Sequence, residues 1–117
     1  MRPRVLIVDD HAAFRASARA LLSAQGFDVV AEAADDWQAL RQARLHRPDV
    51  VLLDIQLPGA DGFVVADRLA AEGSAANVVL ISSHDAATYG SRLPAPAARG
   101  FISKRCLTGA ALAALIA

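Results

Sequence analysis

Five short runs rich in Val, Leu and Ile recur along this chain: VLIV at 5–8, VVAEA at 29–33, VVLL at 50–53, VVLI at 78–81 and GFIS at 100–103. Most are apolar at successive positions rather than alternate ones, which suits strands covered on both faces. Helical spacing fills the intervals. Phe14, Ala18, Leu21 and Leu22 share one face after the first run, and Trp37, Leu40 and Ala43 share another after the second. Strand and helix alternate, so the fold class is α/β, a doubly wound parallel sheet of five strands with helices on both faces.

The chain has 117 residues, 55% hydrophobic and 21% charged, enough for one core. No linker, repeat or low-complexity tract divides it, so residues 1–117 read as one domain. Twelve Lys plus Arg balance twelve Asp plus Glu, without the basic surplus that nucleic acid or an acidic membrane surface attracts. Cys106 is the lone cysteine and has no internal disulfide partner. The apolar run before Asp9 is too short for a secretory signal, and no stretch reaches the roughly 18 residues of a membrane span. The expectation is a soluble, cytoplasmic protein.

Gly26 is placed to close the first helix, Asp35 or Asp36 to cap the second, and Thr108 to cap the last, GAALAALI. Pro94 and Pro96 oppose helix, since each lacks an N–H donor and restricts the residue before it. The fourth helix is therefore expected to be short or irregular and to end near Leu93.

In an open parallel sheet, ligands bind outside the carboxyl ends of the strands. Asp9 and Asp10 follow VLIV, and Asp54 follows VVLL. If the first and third strands are neighbours, these carboxylates meet at one rim. Such close anions repel unless a cation sits among them, and oxygen ligands suit a hard divalent ion, with Mg2+ the natural candidate. Ser82 ends the fourth run with a hydroxyl, and Lys104 follows the fifth with a positive charge on a long stem. Together these groups suit phosphoryl transfer: Asp54 as acceptor, with Mg2+, Lys104 and Ser82 neutralising the equatorial oxygens. Pro58, Gly59 and Gly62 shape the loop leading from Asp54 into the third helix.

The ordered set VDDH, LLDIQLPGADG, LISSH and GFISK, spread over Val5 to Ile116, resembles the receiver domain of two-component response regulators. The pattern is most similar to regulators with a LuxR-type helix-turn-helix output domain. That resemblance implies a CheY-like, flavodoxin-like sheet with strand order 2-1-3-4-5, and Asp54 phosphorylated by a sensor histidine kinase. It implies Asp10 as a direct Mg2+ ligand, Asp9 acting through a metal-bound water, and the Gln56 backbone carbonyl completing the ligand set with Asp54. Ser82 would be the switch hydroxyl, Phe101 the switch aromatic and Lys104 the phosphate-binding cation, with Gln56 and His84 tuning hydrolysis. The role implied is signalling, not enzymatic turnover. DNA would be reached only through an output domain that lies outside this chain, and homodimerisation would use the face of helix four, strand five and helix five.

Two positions depart from the family pattern. Arg105 stands where receivers commonly carry a proline, which removes the usual reason for a cis bond after Lys104. LPAPAARG interrupts helix four, so the signalling face is expected to be altered. Taken singly, each residue has a plainer reading. Asp9 and Asp10 suit a solvated helix start, Asp54 a turn, Ser82 a turn cap, Lys104 the surface and Phe101 the core. His11, His46 and His84 read as structural or exposed, and Trp37 and Cys106 as packing residues. Two rival functions are weighed. A phosphohydrolase of the haloacid dehalogenase type wants an acid two residues after its nucleophile, where this chain has Gln56 or His11. A phosphorylation-independent interaction domain would keep the fold and lose the switch; the intact acids argue against it, while the Pro94 and Pro96 disruption keeps it open.

Overall fold

The computed structural model describes residues 2–117. In chain order the elements are β1 (Arg4–Val8), α1 (Ala12–Ala24), β2 (Asp28–Ala33), α2 (Asp36–His46), β3 (Val50–Asp54), β4 (Gln56–Leu57) and β5 (Ala60–Asp61). There follow α3 (Gly62–Ala71), β6 (Asn77–Ser82), β7 (Gly100–Ser103) and α4 (Gly109–Ile116). The main sheet is parallel with order β2-β1-β3-β6-β7, while β4 and β5 form a separate antiparallel ribbon. Leaving out that ribbon, the order is the expected 2-1-3-4-5.

Alternate strand residues feed two cores, which is why the runs are continuously apolar. Leu6, Val8, Leu53 and Leu80 pack beneath α2 and α3 with Ala39 and Leu69. Ile7, Leu52 and Ile81 pack beneath α1 and α4 with Ala18, Leu22 and Leu112. Each fully buried large apolar side chain contributes about 1.5–3 kcal/mol, more than a typical surface ion pair, so these layers hold the rim groups in place.

Local signals set the element ends. Asp35 accepts the Gln38 N–H at 2.8 Å, and the Gln38 side chain accepts the Ala34 N–H at 2.9 Å, a reciprocal start for α2. Thr108 accepts from Ala111 N at 3.0 Å and Asp61 from Phe63 N at 2.7 Å, capping α4 and α3. Gly26, at φ +98, turns the chain after α1. Pro58 and Gly59 make the turn of the β4–β5 ribbon, and Gly59 has φ +73, the left-handed value this turn requires.

Two packing expectations are corrected. Trp37 is 65% exposed, with Arg41 above its ring at 5.5 Å. At about 100° per residue, Ala39, Leu40 and Ala43 point together at the sheet and Trp37 falls roughly a third of a turn away. Cys106 is also exposed, on the 3-10 turn Lys104–Cys106, and the next residue, Leu107, takes the buried position.

The fourth helix is absent as an α-helix. Two 3-10 turns, Ala86–Thr88 and Gly90–Arg92, replace it, followed by irregular chain up to β7. The second turn ends before Leu93, as the prolines require. The segment still covers the sheet: Tyr89, Leu93, Ala95 and Ala98 pack against the core on the α2–α3 side. The Lys104–Arg105 bond is trans; the cis bond among the described residues joins Leu93 to Pro94. No helix among the described residues is long and apolar enough to cross a membrane.

Glu32 on β2 ties α1 to the sheet, meeting Arg15 at 3.0 Å and Arg19 at 2.7 Å. Burial raises its pKa, but the two guanidiniums outweigh burial and hold it below the usual 4.5. Glu32→Gln should cost about 1 kcal/mol at pH 7, measured by urea unfolding. Because the folded pKa is depressed, the wild-type advantage is present above the unfolded value and lost as pH falls through the folded one. The two proteins should therefore converge in acid.

Candidate functional site

β1 and β3 are neighbours, with Val8 beside Leu53, so Asp9, Asp10 and Asp54 emerge at one edge. Asp9 is fully buried and Asp54 is 2% exposed, whereas Asp10 lies at the open rim. One ligand atom from each of Asp9, Asp10, Asp54 and His11 lies within 4.8 Å of the others. Asp54 has a directed setting: Oδ1 accepts the Gln56 N–H at 3.0 Å and Oδ2 accepts from Lys104 Nζ at 3.2 Å. Gln56 thus serves Asp54 through its backbone amide, and its side chain is exposed.

Lys104 reaches inward from the end of β7. Its Nζ is 2.6 Å from Asp9 Oδ2 and 4.6 Å from the centre of the Phe14 ring. The ammonium is the counter-ion of the buried Asp9 Oδ2. Burial would lower the Lys104 pKa, but Asp9 and Asp54 reverse this and raise it, keeping the ammonium charged. Burial raises the Asp54 carboxyl, the Gln56 amide opposes it, and the nearby Asp9 charge adds to the rise, which Lys104 only partly offsets.

These residues fit a hard divalent cation. Three carboxylates converge, two of them buried, and they offer the hard oxygen ligands that such a cation takes. His11 contributes as well. Its Nδ1 lies 3.0 Å from Asp9 Oδ1 and 3.2 Å from Asp10 Oδ1, a juxtaposition that its plain sequence reading as an exposed histidine did not anticipate. Arg15 donates to the Asp9 carbonyl at 2.6 Å and so links the acid loop to Glu32.

The fourth and fifth rim positions are filled as expected by register, Ser82 pairing with Ser103 and Lys104 following directly. Ser82 is fully buried, and its Oγ lies 2.6 Å from the Tyr89 hydroxyl while accepting the His84 N–H at 3.0 Å. Phe101 is half-buried with its ring centre 6.0 Å from that of Tyr89. Tyr89 escaped the sequence reading. Its one signal is a phenol, which wants a partner when buried, in a loop following the Ser82 strand. His84 is exposed and contributes its backbone, and the carbonyl of His46 accepts from Arg4 at 2.7 Å.

The molecule is thus a doubly wound parallel sheet with acids, a hydroxyl and a lysine at its carboxyl edge. The model of the response regulator receiver domain matches residues 5–116, and the chain belongs to that family. It is 39% identical over 77 residues to the transcriptional regulatory protein PdtaR of Mycobacterium tuberculosis, covering 66% of this chain and 38% of that protein. It is 36% identical over 107 residues to the Fimbriae Z protein of Salmonella typhimurium, covering 90% of this chain and 51% of that one. The chain thus spans about half, or less, of the length of these curated relatives. Among solved structures, the signal receiver domain of NarL from Mycobacterium tuberculosis superposes with a TM-score of 0.85 at 34% identity, covering 97% of this chain and 96% of that one. A LuxR-family two-component response regulator from Aurantimonas gives 0.81 at 31%, covering 89% and 75%.

Proposed function

We propose that this chain is a phosphoacceptor switch: a sensor histidine kinase transfers a phosphoryl group to Asp54, and the modified domain controls a transcriptional output. The observation that carries this reading is the buried Asp54 carboxylate at the end of β3, with Lys104 bridging it to Asp9. In the transfer, a carboxylate oxygen bonds to phosphorus as the bond to the donor histidine nitrogen breaks. Lys104 stabilises charge on the transferred group, and Ser82 offers it a hydroxyl proton. Asp9, Asp10, Asp54 and the Gln56 carbonyl would hold Mg2+, which when bound supplies electrostatic stabilisation of the phosphoryl oxygens. Phe101, packed on Tyr89, would report the change to the β7–α4 face, the surface proposed for homodimerisation.

The transcriptional part rests on the names and roughly doubled length of the relatives, with DNA contacted by the remainder of such a protein. No turnover is assigned to the domain, and a cytoplasmic site follows from a kinase-borne donor. A phosphohydrolase is disfavoured because Gln56 occupies the position of the second acid.

Intact-mass spectrometry after incubation with Mg2+ and acetyl phosphate tests the reading. The expected result is a gain of about 80 Da, one phosphoryl group, in the native chain and none in Asp54→Asn. An equal gain in both would overturn Asp54 as acceptor. No gain from either acetyl phosphate or a phosphorylated kinase domain would leave the phosphorylation-independent interaction domain.

A further inference from the structure

Tyr89, the single tyrosine of the chain, is wedged between two aromatic rings, Phe63 of α3 at 5.9 Å and Phe101 of β7 at 6.0 Å. That packing brings its hydroxyl within 2.6 Å of Ser82 Oγ. A serine hydroxyl has one proton to give and two lone pairs to fill, and the His84 N–H already occupies one lone pair. Ser82 therefore serves Tyr89 either by giving its proton or by accepting the phenol's. Burial decides between these. Ser82 is fully buried and has no other partner among the described residues, so a proton not given to Tyr89 would be an unpaired buried donor. Tyr89 is only half-buried, so an unshared phenol proton costs less there than an unshared Ser82 proton.

We infer that Tyr89 holds the single proton of Ser82 in the unmodified domain, so that the phenol competes with a phosphoryl group on Asp54 for that proton and sets how readily the site is loaded. The inference rests on the phosphoacceptor reading above. On loading, Ser82 turns its proton to an anionic oxygen, a charge-assisted bond stronger than the neutral one it replaces. Tyr89 must then reverse its hydroxyl or let go. The phenol oxygen stabilises the free state and is dispensable to the loaded one. Tyr89 is a positioning residue acting through Ser82, the side chain to which its hydroxyl is bonded.

The test is a double-mutant cycle read by calorimetric titration of beryllofluoride, a phosphoryl mimic, at fixed Mg2+. The four proteins are wild type, Tyr89→Phe, Ser82→Ala and the double variant. Phenylalanine keeps the ring between Phe63 and Phe101 and removes only the oxygen. With Ser82 present, Tyr89→Phe should bind beryllofluoride about fivefold more tightly, the value of one net neutral hydrogen bond. In the Ser82→Ala background it should change nothing, which a general packing effect of Tyr89 would not reproduce. Equal affinities for wild type and Tyr89→Phe, weaker binding by Tyr89→Phe, or the same change in both backgrounds would each overturn the competition while leaving the phosphoacceptor reading intact. Absence of binding by the wild type would overturn both.

Discussion

Lys104→Met is expected to lower the unfolding free energy by about 3 kcal/mol at pH 7 in buffer free of divalent metal. Methionine keeps an unbranched stem beside Phe14 and removes the charge. Asp9 and Asp54 are then left facing each other with side chains at most 3% exposed and no cation between them. Removing one partner of a buried pair costs more than the pair contributes, because the remaining charge stays desolvated. Lys104 is itself 14% exposed, which places the effect toward the lower end of the range for fully buried pairs. If the acids hold Mg2+ as proposed, millimolar Mg2+ should restore much of the loss by binding only the folded state. Urea unfolding with and without the ion measures both quantities. A loss below about 0.5 kcal/mol, the scale of an exposed pair, would mean that Lys104 is not the counter-ion of this site. Arg105→Met provides that exposed comparison, since its partner Asp85 is 58% exposed and the ion pair lies in water.

Gly62→Ala should be about as damaging, by roughly 3 kcal/mol, through backbone overlap. A Cβ at Gly62 would lie 2.4 Å from the Asp54 carbonyl oxygen and 2.6 Å from Ile55 Cα. Both obstacles are main chain, and Gly62 N–H is bonded to the Ile55 carbonyl at 2.7 Å, so no side-chain rotation relieves the clash. The loop that aims Asp54 would have to move. Amide resonances of Ile55 and Gln56 should shift along with the lowered unfolding midpoint. Gly59→Ala is a useful contrast: nothing lies within 4 Å of its Cβ position, so its cost comes from φ +73 alone and should stay near 1 kcal/mol. Equal losses at the two glycines would argue against a close approach at Gly62.

Much of this was legible in the residues themselves. Continuous apolar runs require covered strands, and a charged or hydroxylic residue directly after such a run can only lie at a sheet edge. That reasoning places Asp9, Asp54, Ser82 and Lys104 at strand ends, and at one rim once the first and third strands are neighbours. Gly62 was readable as a loop-shaping residue, but its necessity was not, because the obstructing atoms belong to Asp54 and Ile55, whose path depends on the folded loop. Trp37 was misread as packing because three-residue spacing to Leu40 also places it at the margin of the buried stripe, and Ala39 and Ala43 fill the centre.

The sequence by itself determined the α/β alternation, the five-stranded order once the family pattern was seen, and the chemical identity of the rim, since these follow from local periodicity and from what stands at each strand end. Only the tertiary structure decided that His11 turns onto both neighbouring acids, that Arg15 holds the Asp9 carbonyl, and that Tyr89 meets Ser82. The prolines announced that helix four would be short or irregular, yet they left open where the freed segment would lie. It packs its tyrosine between Phe63 and Phe101, from α3 and β7, and a hydroxyl so placed has its partner chosen by rings distant in sequence.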